Sequence, residues 1–227
     1  MRTVLAWIMA AAAAACAPAQ ADTLELAGIG GSYAVQVTSL KEARFKATTR
    51  QQYDFSCGSA AVATLLTHHY GYPVTEQSVF EEMFARGDQA KIRQEGFSLL
   101  DMKAYLNAHQ FQADGFKLPL AKLLESGLPA IVLISDNGYH HFVVVKGMRD
   151  GRLLIGDPSS GTRAVSRQDF EAVWVNKLLF VIHNKQAQAK FNDETDWLVA
   201  PKAPLTAGVS LDSLGSITLG KFGPGDY

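Results

Sequence analysis

"QQYDFSCGSAAVATLLTHHY", residues 51–70, carries the change of pattern from which the rest of the fold is read. Past Gly58, the residues Val62, Leu65, Leu66 and His69 recur at i, i+3, i+4 and i+7, which predicts one buried face of a helix running to Tyr70. Cys57 then stands at the helix N-terminus. Two roles suit a cysteine there. A buried thiol is a small inert hydrophobe, whereas the unpaired N–H groups and dipole of a helix start favour a thiolate. Gly58 permits close backbone approach and leaves an N–H beside any carbon the sulfur attacks. These features fit a nucleophile and an ordinary helix start alike.

Working outward, a second helix is expected over Glu76–Arg86, capped by Thr75 and stopped by Gly87, with Phe80, Met83 and Phe84 on its apolar face. A third, Leu99–His109, opens on a capping box of Ser98 and Asp101 and buries Met102, Tyr105 and Leu106. "PLAKLLESG", residues 119–127, reads as a short helix ended by Gly127. Strands follow. "LPAIVLIS" (128–135), a "DNG" turn and "YHHFVVVKG" (139–147) form a hairpin pattern, and Asp150-Gly151 turns into "RLLIGDP" (152–158) and "GTRAVS" (161–166). Ser166 and Asp169 cap one more short helix, and "KLLFVIH" (177–183) is a last strand. Helices first and a meandering antiparallel sheet second make the fold class α+β.

The flanks differ in character. Residues 1–21, with Arg2, an apolar run from Val4 to Ala15 and Ala19-Gln20-Ala21, read as a signal peptide cleaved after Ala21, which places the mature protein in the periplasm. No later stretch has the length of apolar residues that a membrane helix needs, so no permanent span is expected. Residues 22–50 read as an extended arm, residues 51–183 as the catalytic-size domain, and residues 184–227, rich in Gly, Pro, Ser and Asp, as a loosely ordered tail. A net charge of −1 provides no basic field, so nucleic acid is not an expected partner. With Cys16 removed in the signal, Cys57 is unpaired in an exported protein, which marks a reactive thiol or a buried one.

A thiolate nucleophile needs a base, and six histidines compete for that role. His68 and His69 lie on the Cys57 helix, about 16 Å down its axis at 1.5 Å per residue, and cannot reach the thiol. His109 falls near a helix end and His183 closes a strand, both structural places. His140 and His141 are adjacent on a strand and face opposite ways, so at most one aims at Cys57, and the apolar run behind them does not choose. Diverging neighbours and no second ligand cluster make a zinc site a poor reading.

"RQQYDFSCGSAAVATLL" (50–66), followed by "HHFVVVKG" (140–147) and "GDP" (156–158), resembles the C39 family of papain-like cysteine peptidases over roughly residues 33–183. Among its members the sequence is most similar to exported stand-alone peptidases of bacterial functional-amyloid secretion systems. The resemblance implies a papain-like fold with N-terminal helices packed on an antiparallel sheet. It implies Cys57 as nucleophile, His141 as general base, Asp157 as the residue that orients the imidazole, and Gln51 as the oxyanion-hole side chain, with Gln52 as its competitor. No metal or organic cofactor is implied. The implied partners are an exported protein or peptide substrate, amyloid-fibre or outer-membrane secretion components among them, and cleavage after Gly-Gly. "LELAGIGG" (24–31) offers such a pair in this chain, but its aliphatic residues are spaced one position off the family's leader pattern, and a linker is the simpler reading. Two other classes remain open at this point: a silent peptidase-like binding module or secretion chaperone, and a hydrolase of cell-wall peptides.

Overall fold

The structure, a computed structural model, describes residues 23–27, 32–36, 38–136 and 138–201. Residues 1–22, where the signal peptide is expected, and residues 28–31, 37, 137 and 202–227 lie outside the described residues. The chain divides at Ala43/Arg44 into two units. In the first, β1 (Thr23–Ala27) and β2 (Ser32–Gln36) pair antiparallel. Not all of the expected arm is extended. Residues Leu40–Phe45 form helix α1, because Ser39 and Glu42 make a capping box: the Ser39 N–H donates to Glu42 Oε2 and the Glu42 N–H donates to Ser39 Oγ, both at 3.1 Å.

The second unit runs α2 (Cys57–Thr64), α3 (Glu76–Arg86), α4 (Gln89–Glu95), α5 (Leu99–Ala108), β3 (Ala113–Phe116), α6 (Leu120–Ser126), β4 (Ala130–Asp136), β5 (Tyr139–Arg149), β6 (Arg152–Asp157), β7 (Gly161–Ser166), α7 (Arg167–Val173), β8 (Leu179–Ile182) and α8 (Glu194–Trp197). The six strands form one sheet in the order β3-β8-β4-β5-β6-β7, with every pair antiparallel. The fold is α+β, as the order of patterns predicts. Thr75, Ser98 and Ser166 cap α3, α5 and α7, and Gly127 ends α6 in the left-handed conformation. Asp150 and Gly151 both take positive φ, the geometry of a tight β5–β6 hairpin.

Alternation along the strands divides the interior. Phe142 and Val144 face the core built by α2, α3 and α5, whereas Val143 and Val145 face a second core with α6 and α7. Every residue of α2 is buried, which its small side chains allow. At Gly58 a Cβ would stand 2.9 Å from both Phe97 Cβ and Met102 Cε, so only glycine lets the helix start lie this close to α5. Beyond Thr64 the helix widens into a π turn, Leu65–His69.

The expectation of a loose tail after 183 does not hold for residues 184–201. The Lys190 N–H donates to the His69 carbonyl and the Asn192 N–H to that of Lys146, both at 2.9 Å. The Asn192 side chain pairs with the Met148 backbone through both of its atoms, at 2.7 and 3.2 Å, where β5 bulges between Val145 and Gly147. Trp197 is 2% exposed and Asp196 meets the fully buried Lys146 ammonium at 2.9 Å. This segment reads as polar because its few anchors are widely spaced, yet each anchor satisfies a buried group. Burial pushes the Lys146 ammonium down and Asp196 works against that shift.

Asp196→Ala leaves a buried cation without its counter-charge and is expected to cost about 3–5 kcal/mol in urea unfolding. The double change Lys146→Met with Asp196→Leu is expected to recover most of that loss. A loss below about 1 kcal/mol for the single change contradicts this account of the strap.

Candidate active site

Cys57 begins α2 and is 6% exposed. It is free of any disulfide. The loop before it is held from several sides. Tyr53 and Phe55 stack with each other at 5.7 Å and against Phe80 of α3 at 5.2 and 5.9 Å. Ser56 Oγ accepts from the Tyr53 N–H at 3.1 Å. Pairing between β5 and β6 stops at Val144–Gly156, and above that point the two strands part. Here the thiol meets the strand: the Phe142 N–H faces the sulfur, together with the N–H groups of Gly58 and of Cys57 itself. Burial pushes the Cys57 thiol up, the three N–H groups act against the rise, and the charge of Asp157 adds to it. The resting group is therefore a thiol that needs a base.

Of the two adjacent histidines, His140 is exposed and His141 is buried. His141 Nε2 lies 3.3 Å from Asp157 Oδ2. Asp157 ends β6 and is 2% exposed. Burial works against its charge, but His141 and the hydroxyl and N–H of Ser159 outweigh it and hold the carboxyl well below the usual carboxylate range. An ionised carboxylate only accepts, so Nε2 carries the imidazole proton and Nδ1 keeps its lone pair. Among the described residues Nδ1 is buried with no hydrogen-bond partner, one residue from the N–H that faces the sulfur. A buried imidazole nitrogen with its lone pair left open is what a general base requires.

Gln51 is tied to the same place by its backbone, whose N–H donates to the Pro158 carbonyl at 3.1 Å. Its side chain is spent locally: Nε2 donates to Tyr53 O at 3.1 Å and Asp54 O at 3.5 Å. Gln52 is exposed. Tyr139 is not among the expected site residues, yet its ring stacks on His141 at 5.8 Å and its hydroxyl donates to Asp54 O at 2.6 Å. It spans from the His141 strand to the Gln51 loop while remaining 54% exposed. Its position two residues before His141 on a strand is the signal that could have found it. Ser159, two residues past Asp157 across a proline, is likewise legible as an Asx-type turn.

Three of the remaining histidines have other partners. His109 Nε2 pairs with Glu82 at 2.9 Å, His183 Nε2 with Asp114 at 2.9 Å, and His69 Nδ1 with the Lys190 carbonyl at 2.8 Å. Among the described residues no group of three or more His, Cys, Asp or Glu side chains is placed to hold a metal ion. No helix among them is long and apolar enough to cross a membrane.

A free thiol at a buried helix start and a buried imidazole held by a carboxylate are the parts that the chemistry of a cysteine peptidase needs. The Peptidase C39 family profile matches residues 46–186, and the chain belongs to that family. It is 37% identical to the probable functional amyloid protease FapD of Pseudomonas aeruginosa over 195 residues, 85% of this chain and 84% of that protein. FapD of Pseudomonas fluorescens is 36% identical over 86% of this chain and 84% of its own length. The lactococcin-G-processing and transport ATP-binding protein LagD of Lactococcus lactis is 29% identical over 57% of this chain but 18% of that protein. The peptidase domain of Streptococcus ComA overlays with a TM-score of 0.49 at 22% identity, over 60% of this chain and 96% of that domain.

Burial pushes the His69 imidazole down to about 3, with the Lys146 ammonium adding to the shift. The unfolded chain, with His near 6.5, binds this proton earlier, so stability is fully present above about pH 6.5 and falls as pH drops toward the folded value. His69→Asn is expected to flatten the decline of urea-unfolding stability between about pH 6.5 and pH 4. An unchanged slope would contradict a neutral buried His69.

Proposed function

We propose that the protein is a periplasmic C39 endopeptidase that cleaves an exported protein after a Gly-Gly pair and thereby supports secretion or assembly of extracellular amyloid fibres. The observation that carries this reading is the match to two FapD proteases along 84% of their length, rather than over an isolated domain of a transporter. Residues 1–21 support export, and the Gly-Gly preference rests on the C39 resemblance.

In this reading His141 Nδ1 takes the Cys57 proton and the sulfur attacks the peptide carbonyl carbon. The oxyanion is held by the Cys57 N–H and by the Gln51 amide, once that amide turns from the Tyr53 and Asp54 carbonyls toward the substrate. The tetrahedral intermediate collapses, and His141 gives its proton to the leaving amine. Water, deprotonated by His141, attacks the thioester, which releases the acid and restores the thiol. Asp157 keeps the imidazole in one tautomer throughout. It orients without exchanging a proton.

Wild type and Cys57→Ala should be compared for cleavage of co-exported fibre and outer-membrane proteins, and for fibre secretion by cells. The expected outcome is loss of cleavage by roughly 10³-fold or more together with loss of secretion. Equal behaviour of the two proteins contradicts the reading. Fractionation with N-terminal sequencing tests the location: a periplasmic chain beginning at Asp22 is expected, and a cytoplasmic chain that retains Met1 would sink it.

A further inference from the structure

The turn from Asp157 to Gly161 joins β6 to β7, and it divides the two carboxylate oxygens of Asp157 between separate tasks. Oδ1 accepts from the Ser159 N–H at 2.9 Å and from the Ser159 hydroxyl at 2.6 Å. Oδ2 faces His141 Nε2 at 3.3 Å and Arg163 Nη2 at 3.4 Å. Rotation of a carboxylate about χ2 is broad and nearly two-fold, so a single donor would leave its plane free to turn. Two donors on one oxygen remove that freedom. Arg163, reaching in from β7, is a rival for the oxygen that His141 needs, and a rotated carboxylate would serve the guanidinium in a fork and leave the imidazole unheld.

We propose that the Ser159 hydroxyl is a positioning residue of the peptidase reaction: it locks the Asp157 carboxylate so that Oδ2 accepts the hydrogen bond from His141 Nε2–H and Nδ1 remains the nitrogen that deprotonates Cys57. This rests on the assignment of Cys57 and His141 as nucleophile and base. The Ser159 hydroxyl touches neither substrate nor the reacting atoms, and it acts through Asp157 alone. Pro158 contributes to the same device. Its carbonyl receives the Gln51 N–H, so one turn sets the orientation of the base and the place of the oxyanion-hole candidate.

The test uses the full chain and the small reagent iodoacetamide, with alkylation of Cys57 followed by intact mass at pH 7 and pH 10. At pH 7 the rate reports proton removal by His141, whereas at pH 10 hydroxide can take the thiol proton without His141. Ser159→Ala is expected to slow alkylation at pH 7 about tenfold or more and to leave the pH 10 rate within about twofold. Ser159→Thr, which keeps the hydroxyl, is expected to restore the pH 7 rate. His141→Ala provides the reference for loss of the base. Equal pH 7 rates for Ser159→Ala and wild type, with His141→Ala slow, overturn the positioning role and leave the His141 assignment standing. Equal rates for His141→Ala and wild type overturn the assignment itself. A Ser159→Ala rate that falls equally at both pH values, or a Ser159→Thr variant as slow as Ser159→Ala, also overturns the proposal.

Discussion

The start of a wholly buried helix meets the sheet where β5 and β6 part, and the other features of the site depend on that contact. Small residues along α2 let it lie in the core, and Gly58 lets its first turn press against Phe97 and Met102. That close approach carries the sulfur to the N–H of Phe142. The same burial raises the energy of the thiolate, so the helix start alone cannot activate Cys57. In the proposed mechanism activation comes from His141, whose Nε2 faces a carboxylate that is itself held by Ser159. Imidazole, carboxylate and hydroxyl form a chain in which each member is held by the next.

Such a chain needs a rigid frame, and part of that frame lies beyond the family match, which ends at residue 186. The strap of residues 187–201 supplies Asp196 to the buried Lys146, Asn192 to the bulge of β5 and the Lys190 backbone to His69. All three act on β5 or on the helix that begins at Cys57, which are the elements that carry His141 and the nucleophile. The frame carries ionisable groups in its interior: a lysine held by one aspartate and a histidine held neutral. Neutral pH therefore favours the assembled site, and acid loads it with protons that the folded chain resists.

Much of this was legible in residues 51–70 and in the short motifs near His141 and Asp157. The 3.6-residue period ending in Tyr70, the capping pairs at Thr75, Ser98 and Ser166, and the Asp150-Gly151 turn each carry a local physical cause, and the structure shows each element they imply. What period could not supply was the choice between His140 and His141, because the run behind them is buried on both faces and alternation then has no polar side to point to. The pairing with Asp157, which His141 makes, favours it over the exposed His140 as the base. The helix at Leu40–Phe45 was hidden because its capping pair precedes too few apolar residues to show a period. The strap was hidden for a different reason: Asn192 and Asp196 look like a polar tail until the groups they satisfy are in view.

The loop before Cys57 shows how the resting site differs from a working one. Gln51 donates to carbonyls of its own loop, and Tyr139 links that loop to the strand of His141. In the proposed mechanism a substrate carbonyl that reaches the sulfur replaces the Tyr53 and Asp54 oxygens as the acceptor for Gln51, so binding and completion of the oxyanion site are one event. The proposed reaction requires the Cys57 sulfur to attack a carbonyl carbon. Its most direct test is acid-quenched mass spectrometry of the protein mixed with a blocked glycyl-glycine p-nitrophenyl ester, followed by peptide mapping. The predicted result is one acyl group on Cys57, absent in Cys57→Ala and formed more slowly in His141→Ala. An acyl group carried by another residue, or none at all on the folded wild-type protein, would contradict it.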